Sequence, residues 1–393
     1  MARIGIFGGS FNPPHLGHRL AVVEFQKKLN LDSVLLIPAA VPPHKQLSSN
    51  SPDADLRFRM TEILFEDLDF AKVLDIELRR EGPSYTADTL TELRKEYPKD
   101  ELFLLMGTDM FFSFSKWYHP EVISGIATLV VAHRNEDDLT ALRETAESLY
   151  EKYKTRTEFL ENDFLPYSST SVRAMLAFRC GEKYLAPEVY RFIKEHELYY
   201  TAENFKNLPF ERLSEISLSL HKANRVQHVI GCSETAAKLA ELYGEDPVAA
   251  RRAGILHDVT KALNGEEQLH LCEKYAIILN QFERKYPKLL HAKTGAAIAG
   301  SLFGESELVS DAINWHTTGK AHMTTMEKVV YLADYMEPNR KFEGVEQLRQ
   351  LTFQNLDDAL HLGLQMSVDQ LHRRGLEVDP NSLAALHSLE EKE

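Results

Sequence analysis

Two histidines three residues apart, in a loop rich in glycine and proline, could act together on a bound anion. They are His15 and His18 in the segment GGSFNPPHLGH, residues 8–18. At this spacing both imidazoles share one face of a first helical turn. The amides of a helix N-terminus attract anions, and glycines let a ligand approach the backbone closely. The segment therefore predicts a polyphosphate site in which both imidazoles bond phosphate oxygens.

Two hydroxyl-rich segments could serve the same chemistry. Ser84-Tyr85-Thr86 precedes a helical pattern and offers hydroxyls and free amides to a carboxylate. The segment SSTSVR, residues 168–173, places hydroxyls at a helix start with an arginine one turn in, which would make a second phosphate cradle. Taken alone, each segment is also compatible with an ordinary capped helix.

A different chemistry is indicated in the second half, where histidine and aspartate interrupt otherwise apolar helical patterns. Buried imidazole and carboxylate groups are costly without partners, and convergence on a metal removes that cost. Nitrogen and oxygen ligands suit iron, manganese, cobalt or zinc. The candidate ligands are His228, His257, Asp258, His291, His316 and Asp334.

The predicted secondary structure around these residues changes near residue 200. Up to that point short apolar strands alternate with helical patterns, which predicts a parallel sheet covered on both faces. Ligands of such sheets bind beyond the carboxyl ends of the strands, where the segment 8–18 falls. Strands are expected at 3–7, 33–38, 72–76, 101–106, 127–132 and 157–160, and helices at 16–29, 54–68, 86–96, 137–152, 170–178 and 187–195.

From about residue 210 convincing strands vanish, which predicts an all-α domain. We expect a first domain over residues 1–200, a linker over the polar stretch 201–209, and a second domain over 210–393. The expected helices are 211–244, 246–260, 265–280, 292–303, 305–316, 324–337, 344–374 and 380–390.

Composition narrows the class of protein. A length of 393 residues suggests two or three domains, and 44% hydrophobic residues suffice for sizeable cores. The net charge of −14 argues against a broad nucleic-acid or anionic-membrane surface. The three cysteines are far apart, no signal peptide is evident, and no apolar run approaches the length of a membrane span. We therefore expect a cytoplasmic protein.

The segment GGSFNPPHLGH resembles the H-x-G-H nucleotidyltransferases, and in its full length it is similar to their nicotinate-mononucleotide adenylyltransferase branch. The resemblance covers nearly all of residues 1–200. It implies a Rossmann-like domain that transfers AMP from ATP, with Mg²⁺, to nicotinate mononucleotide, giving deamido-NAD and pyrophosphate. Neither the dinucleotide fingerprint G-x-G-x-x-G nor a P-loop is present.

This resemblance also implies roles for single residues. His15 and His18 would stabilise the ATP phosphates in the transition state, and Lys45 and Arg173 would contact phosphate. Spacing alone also allows Lys45 to be an exposed lysine. Substrate contacts are implied for Gly8, Gly9, Ser10, Phe11, Thr86, Gly107, Asp109, Trp117, Arg134, Ser168, Ser169 and Thr170.

Three of these contacts carry a specific expectation. Asp109 is expected near the adenosine ribose or the metal-bound phosphates. Trp117 would stack on the pyridine ring, with a buried core tryptophan as the alternative. Arg134 stands where the family usually carries an arginine near the substrate, although Asn135-Glu136 follows it here in place of the usual proline or glycine.

The order H…HD…H…H…D resembles the HD-domain phosphohydrolases, and HDVTK, WHTTG and LADYMEPNR are similar to the branch that cleaves diadenosine tetraphosphate symmetrically to ADP. The resemblance implies two transition-metal ions, expected to be iron with manganese or cobalt as alternatives. One ion would be held by His228, His257, Asp258 and Asp334, and Asp258 would bridge to a second ion held with His291 and His316. Lys261 and Arg340 would neutralise phosphate.

The two halves together predict a bifunctional enzyme whose substrates are ATP, nicotinate mononucleotide and a dinucleoside polyphosphate. Two alternatives stay open. The HD half could act on another nucleotide, or only bind metal or nucleotide as a regulatory module. The first half could use nicotinamide mononucleotide, pantetheine phosphate or a CTP-linked substrate, although Ser84-Tyr85-Thr86 and the double proline disfavour the last two. A homodimer is compatible with the sequence.

Overall fold

The computed structural model describes residues 1–43, 47–133, 138–161 and 167–390. These residues form two units, Met1–Ala202 and Glu203–Glu393. The division falls inside the polar stretch 201–209. Phe205 is buried and stacks on Phe303 at a ring-centroid distance of 4.9 Å. The residues that follow Ala202 therefore contribute to the core of the second unit.

A six-stranded sheet with the order β3-β2-β1-β4-β5-β6 forms the centre of the first unit, and every strand pair is parallel. The order along the chain reverses between β1 and β4. At such a switch point a crevice opens beyond the carboxyl ends of the strands. The predicted parallel α/β domain is thereby confirmed. The strands are β1 (Arg3–Gly9), β2 (Ser33–Pro38), β3 (Ala71–Val73), β4 (Glu101–Gly107), β5 (Ala127–His133) and β6 (Thr157–Glu161).

The helices of the first unit follow the predicted alternation, with two additions. Two short helices lie between β4 and β5, where a single turn or two gives too little periodicity to detect. The second of them begins at Pro120, a residue favoured at the first helical position. The helices are α1 (Leu16–Leu29), α2 (Ala54–Phe65), α3 (Thr86–Glu96), α4 (Thr108–Phe112), α5 (Pro120–Ile126), α6 (Leu139–Tyr153), α7 (Ser169–Ala177) and α8 (Pro187–Glu195).

Helices are the regular secondary structure of the second unit, with no strand among its described residues, as predicted. A π-helical turn, Ala299–Phe303, extends its sixth helix, and Gly304 ends that turn with a φ of 72°. The helices are α9 (Phe210–Ser219), α10 (Val226–Leu242), α11 (Pro247–Leu256), α12 (Gly265–Lys274), α13 (Gln281–Lys285), α14 (Leu290–Ile298), α15 (Glu307–Trp315), α16 (Thr325–Met336), α17 (Val345–Thr352), α18 (Leu356–Arg373) and α19 (Pro380–Glu390).

Two long helices expected from the sequence are each broken in two. The segment 211–244 is interrupted where Lys222 adopts an extended backbone, and a 3-10 turn, Ala223–Arg225, then leads into α10. The segment 344–374 is interrupted at Asn355, whose side chain accepts hydrogen bonds from the amides of Asp357 and Asp358. This side chain caps a new helix. The apolar pattern continues across both breaks, so periodicity alone does not reveal them.

A glycine sets the distance between two helices of the second unit. A β-carbon on Gly254 of α11 would lie 2.6 Å from the Cα of Ser233 on α10, so a larger residue would push the helices apart. The close approach brings together the ends of α10 and α11 that carry His228 and His257. No described helix combines the length and apolar character needed to cross a membrane.

Candidate active sites

The segment 8–18 lies at the switch point of the sheet. The strand β1 continues through Gly8 and Gly9, so it is two residues longer than predicted. Phe11 follows with a φ of 43° and a fully buried side chain. The chain then reaches α1, which begins at Leu16 directly after His15. The helix N-terminus thus opens onto the carboxyl end of β1, where the sequence predicts phosphate binding.

The two histidines of this segment lie side by side. The rings of His15 and His18 have centroids 3.7 Å apart, and His18 Nδ1 accepts the backbone N–H of His15 at 3.2 Å. Burial, together with the neighbouring His18, holds the pKa of His15 well below its usual value. His15 is therefore neutral near pH 7, a form in which an imidazole N–H can donate to a phosphate oxygen.

The second predicted phosphate segment packs directly against the first. Ser168 caps α7 by accepting the amide N–H of Ser171 at 3.1 Å. Ser169 Oγ donates to the carbonyl of Pro13 at 3.3 Å, and Arg173 Nη1 donates to the carbonyl of Asn12 at 2.7 Å. The structure therefore brings together two motifs about 150 residues apart in sequence.

Arg173 is buried, and its guanidinium is directed at backbone carbonyls. Besides Asn12 it donates to Ser169 O at 3.2 Å, and its Nη2 lies 3.4 Å from Thr170 Oγ1. Burial lowers its pKa. In this geometry Arg173 positions the loop between β1 and α1; direct contact with substrate stays a prediction.

Two further residues that the sequence analysis did not single out hold the same loop. Arg57 on α2 donates to the carbonyl of Ser10, and Tyr199 Oη donates to Asn12 Oδ1 at 2.8 Å. A signal for Arg57 exists in the sequence. It occupies the buried stripe of α2 with Met60 and Leu64, at helical spacing, where an arginine is unusual.

The segment Ser84-Tyr85-Thr86 is held at the entry of α3. Ser84 exchanges hydrogen bonds with the backbone of Val41, at 2.9 and 3.2 Å. The ring of Tyr85 stacks on Tyr118 at a centroid distance of 4.2 Å. Thr86 begins α3. The segment is therefore tied both to the loop after β2 and to the residue that follows Trp117.

A buried carboxylate supports the same segment. Glu77 accepts a hydrogen bond from Thr89 Oγ1 at 2.7 Å, one turn into α3, and burial raises the pKa of Glu77. Glu77 is not among the residues predicted from the sequence. Its signal is weak, because it sits among charged neighbours in the segment IELRRE, residues 76–81.

The remaining predicted substrate residues of the first unit lie around the end of β4. Gly107 ends β4, and Asp109 is exposed in the first turn of α4. Trp117 is half-buried and packs on Phe114 at a centroid distance of 5.5 Å. Because the ring of Trp117 is partly exposed, a ligand could stack on it. A tryptophan that only fills the core would be fully buried. Lys45 and Arg134 lie outside the described residues.

In the second unit the four histidines among the predicted metal ligands surround the carboxylate of Asp258. Its Oδ1 lies 3.4 Å from His291 Nε2 and 3.6 Å from His316 Nε2. Its Oδ2 lies 3.5 Å from His257 Nε2 and 3.8 Å from His228 Nε2. The carboxylate is 1% exposed. Each oxygen therefore faces its own pair of histidines.

Asp334 completes one of the two clusters. Its Oδ1 lies 3.1 Å from His228 Nε2 and 3.7 Å from His257 Nε2. Burial lowers the pKa of His257 and His291 well below the usual value and that of His316 to about 4. Neutral imidazoles and ionised carboxylates are the forms that bind metal. The donor set thus fits two divalent ions that share Asp258.

Hydrogen bonds on the far side of each ring aim Nε2 at the centre. His257, His291 and His316 each place Nδ1 against the carbonyl three residues earlier, at 2.7, 2.7 and 2.6 Å. His228 Nδ1 instead lies 3.1 Å from Glu337 Oε1. Such bonds fix the ring orientation and the tautomer of metal-binding histidines.

Glu337 was not selected from the sequence. It is buried directly after α16, and its Oε2 accepts the amide N–H of Asn339 at 2.7 Å. A β-carbon on Gly231 would lie 2.4 Å from this oxygen, so a glycine on α10 makes room for it. The available signal is an acidic residue between an apolar helix and Pro338.

Three cations surround the cluster. Lys261 Nζ lies 2.8 Å from His291 Nε2 and 3.8 Å from Asp258 Oδ1, and burial lowers the pKa of Lys261 to about 8. Arg340 Nη2 donates to Asp334 Oδ1 at 2.7 Å, and Arg225, which the sequence analysis missed, donates to Asp258 Oδ2. Lys261 and Arg340, which the sequence predicts to bind phosphate, therefore lie at the site. They contact the predicted metal ligands His291 and Asp334.

Comparisons with known proteins divide the chain in the same way. Residues 6–175 match the model of the Cytidylyltransferase-like family, and residues 225–339 match that of the HD domain. These matches confirm the predicted order of a nucleotidyltransferase-like domain and an HD domain.

Two relatives match about half of the chain over their whole length. A "Probable nicotinate-nucleotide adenylyltransferase" of Lachnoclostridium phytofermentans is 34% identical over 200 residues, which are 51% of this chain and 100% of the relative. A protein of the same description from Syntrophotalea carbinolica is 37% identical over 216 residues, 51% of this chain and 99% of the relative. A crystal structure from Clostridium acetobutylicum, described as a "predicted HD superfamily hydrolase involved in NAD metabolism", is 31% identical, covers 47% of this chain and 99% of its own, and has a TM-score of 0.46.

Proposed function

The chain belongs to the nicotinate-nucleotide adenylyltransferase family, and we propose that its first unit transfers AMP from ATP to nicotinate mononucleotide. The products would be deamido-NAD and pyrophosphate. One observation carries this proposal: Arg173 and Ser169, from the SSTSVR segment, bond the loop that leads to His15 and His18. Two helix N-termini, of α1 and α7, thereby flank one loop beyond the carboxyl end of β1.

In this reaction a phosphate oxygen of nicotinate mononucleotide attacks the α-phosphorus of ATP. The bond from that phosphorus to the bridging oxygen of the β-phosphate breaks, and pyrophosphate leaves. Catalysis consists mainly of positioning and charge stabilisation. His15 and His18 would donate to phosphate oxygens together with the first amides of α1. Mg²⁺, bound with ATP, would supply further neutralisation of the triphosphate charge.

The test is a product assay on the full chain with a panel of acceptors. Nicotinate mononucleotide, nicotinamide mononucleotide and pantetheine phosphate are each incubated with ATP and Mg²⁺, and CTP replaces ATP in parallel. We expect deamido-NAD to form fastest. A His18→Ala variant should lose it, whereas His196→Ala, at the exposed end of α8, should retain it. A different preferred acceptor would refute the assignment.

For the second unit we propose metal-dependent hydrolysis of dinucleoside polyphosphates, with diadenosine tetraphosphate cleaved to two ADP. The observation that supports it is Asp258, whose two oxygens face separate histidine pairs. His228, His257, His291, His316, Asp258 and Asp334 would hold two ions, with iron expected and manganese or cobalt as alternatives. Such ions supply activation of water and neutralisation of phosphate charge. Lys261, Arg225 and Arg340 would balance charge around the substrate phosphates.

The chain, loaded separately with Fe²⁺, Mn²⁺ or Co²⁺, is incubated with diadenosine tetraphosphate, and the products are separated by chromatography. ADP alone is the expected result. AMP with ATP would indicate hydrolysis at another phosphorus. Absence of any product would favour the two alternatives, another nucleotide substrate or a regulatory module that binds metal or nucleotide.

The two proposed activities would have a simple rationale for their occurrence in one chain. Adenylyl-transferring enzymes can release dinucleoside polyphosphates as by-products, and the HD unit would remove them. An Asp258→Asn variant, which lacks only the second activity, should accumulate such by-products during prolonged adenylyl transfer. If none accumulate, this rationale fails.

A further inference from the structure

We propose that Arg57 is a positioning residue for adenylyl transfer, which holds the Ser10 carbonyl so that the Phe11 amide faces the bound triphosphate. This inference rests on the function proposed for the first unit. Arg57 is 1% exposed and lies on α2, outside the two phosphate-binding motifs. It would act through the backbone and make no contact with substrate itself.

The geometry of the guanidinium is that of a clamp. Arg57 Nη1 donates to Ser10 O and to Ala39 O, both at 2.7 Å, and Nη2 donates to Ala40 O at 3.0 Å. Nε lies 3.4 Å from Pro52 O. One side chain thus joins the phosphate loop to the loop after β2 and to the start of α2. A lysine offers a single nitrogen and could not span these carbonyls.

The clamp fixes the direction of one amide. In a trans peptide the carbonyl and the N–H of the next residue point in opposite directions. Because Arg57 draws the Ser10 carbonyl toward α2, the N–H of Phe11 points away from α2. Among the described residues this N–H has no hydrogen-bond acceptor. A free amide at the carboxyl end of β1, two residues after Gly9, is a donor for a phosphate oxygen.

The charge around the loop is consistent with an anionic ligand. Arg57 and Arg173 are both buried, and each bonds a carbonyl of the same loop, Ser10 and Asn12. Burial lowers the pKa of Arg57 and the charge of Asp53 opposes this shift, but within the described parts of the chain neither guanidinium forms an ion pair. Arginine stays protonated in proteins. Two buried cations without a partner carboxylate favour binding of a polyanion over binding of a neutral nucleoside.

The experiment compares Arg57 with a second arginine of the first unit whose guanidinium also bonds several backbone carbonyls. Arg94 on α3 donates to the carbonyls of Tyr97, Asp100 and Ile126 at 2.8–2.9 Å. Asp100 and Ile126 directly precede β4 and β5, so Arg94 lies at the amino ends of the strands. Arg57→Lys and Arg94→Lys each retain the charge and lose the guanidinium fork. Both variants should unfold at a somewhat lower temperature.

Binding and kinetics separate positioning from stability. We expect Arg57→Lys to lose about 100-fold in kcat/KM for ATP and most of its affinity for ATP, with little change in its affinity for adenosine. Arg94→Lys should retain both affinities. Equal loss of ATP and adenosine binding in Arg57→Lys, or a matching loss in Arg94→Lys, would overturn the proposal. If the wild-type chain binds ATP but forms no deamido-NAD, only the proposed reaction fails.

A measurement on the unmodified chain covers the case in which Arg57→Lys does not fold. Hydrogen exchange of the Phe11 amide is followed with and without ATP and Mg²⁺, with adenosine as a control. The amide should become protected by ATP and not by adenosine. Unchanged exchange of this amide at saturating ATP would refute the proposed direction of the Phe11 N–H.

Discussion

Asp258 Oδ1 lies 3.4 Å from His291 Nε2, while the other oxygen of the same carboxylate lies 3.5 Å from His257 Nε2. One carboxylate is thus shared by two clusters of ligands. An Asp258→Asn variant keeps the shape of the side chain but loses the charge that both proposed ions would require. We expect it to retain at most half of the metal bound by the wild type and to lose hydrolysis.

The metal content of the variant is measured by elemental analysis, and adenylyl transfer by the same protein serves as the control for folding. Adenylyl transfer should be unchanged, since Asp258 and the histidines around it all belong to the second unit. Full metal content in Asp258→Asn would contradict the shared-ligand arrangement.

Glu337 orients His228 and should therefore tune metal affinity without touching the metal. Glu337→Gln weakens the bond to His228 Nδ1, and loss of such an outer partner typically costs about 10- to 100-fold in metal affinity. Competition with a chelator measures this affinity. The matched control is Glu327→Gln at the other end of α16, where a buried carboxylate pairs with Lys320 at 2.8 Å. Equal weakening in both variants would point to general destabilisation of α16.

Replacement of His15 or His18 in the first unit should impair adenylyl transfer and leave the activity of the second unit unchanged. His15→Asn and His18→Asn each remove a donor to the phosphates, and the loss of one such donor typically costs about 100- to 1,000-fold in kcat. Initial rates of deamido-NAD formation test this expectation. Both variants should bind as much metal as the wild type and hydrolyse diadenosine tetraphosphate at the same rate. A variant with full transfer activity would remove that histidine from the mechanism.

His221 should make the stability of the second unit sensitive to acid. It is buried, its Nδ1 bonds Ser217 O at 2.7 Å, and burial lowers its pKa to about 4. Below pH 6.5 the unfolded chain takes up a proton that the folded chain does not. The contribution of His221 to the free energy of unfolding is therefore fully present above pH 6.5. It is lost as the pH falls toward 4, which lowers the free energy of unfolding by about 3 kcal/mol.

A His221→Asn variant cannot titrate and should lose less stability than the wild type between pH 7 and pH 4.5. Urea unfolding of metal-free protein at a series of pH values measures the difference. His387→Asn, which removes an exposed histidine of α19, is the control. Parallel pH profiles for wild type and His221→Asn would show that His221 is not the titrating group.

The cluster of histidine and aspartate side chains could be predicted because its members stand out in the sequence. His257 and Asp258 interrupt an apolar helical pattern, and such residues need partners when buried. Arg57 and Glu337 give weaker signals of the same kind. Arg57 interrupts the apolar stripe of α2 and Glu337 directly follows an apolar helix, but a single charged residue at such a place is usually exposed, and only the tertiary packing shows that these two are buried.

The sheet was predictable from alternating apolar strands and helices, whereas its order was not. The break at Asn355 could not be predicted because the apolar pattern continues into α18. A hydrogen bond from a capping side chain is a local contact that leaves the apolar periodicity unchanged. The roles of Lys45 and Arg134 stay predictions, since both lie outside the described residues. Direct substrate contact by Arg173 is likewise a prediction, beside the observed bond to Asn12.

The most direct test of the central claim is one assay of both reactions on three proteins. Wild type, His18→Ala and Asp258→Asn are each incubated with ATP and nicotinate mononucleotide, and separately with metal and diadenosine tetraphosphate. The wild type should form deamido-NAD and ADP, His18→Ala only ADP, and Asp258→Asn only deamido-NAD. Loss of both products in either variant, or neither product from the wild type, would contradict two independent sites on one chain.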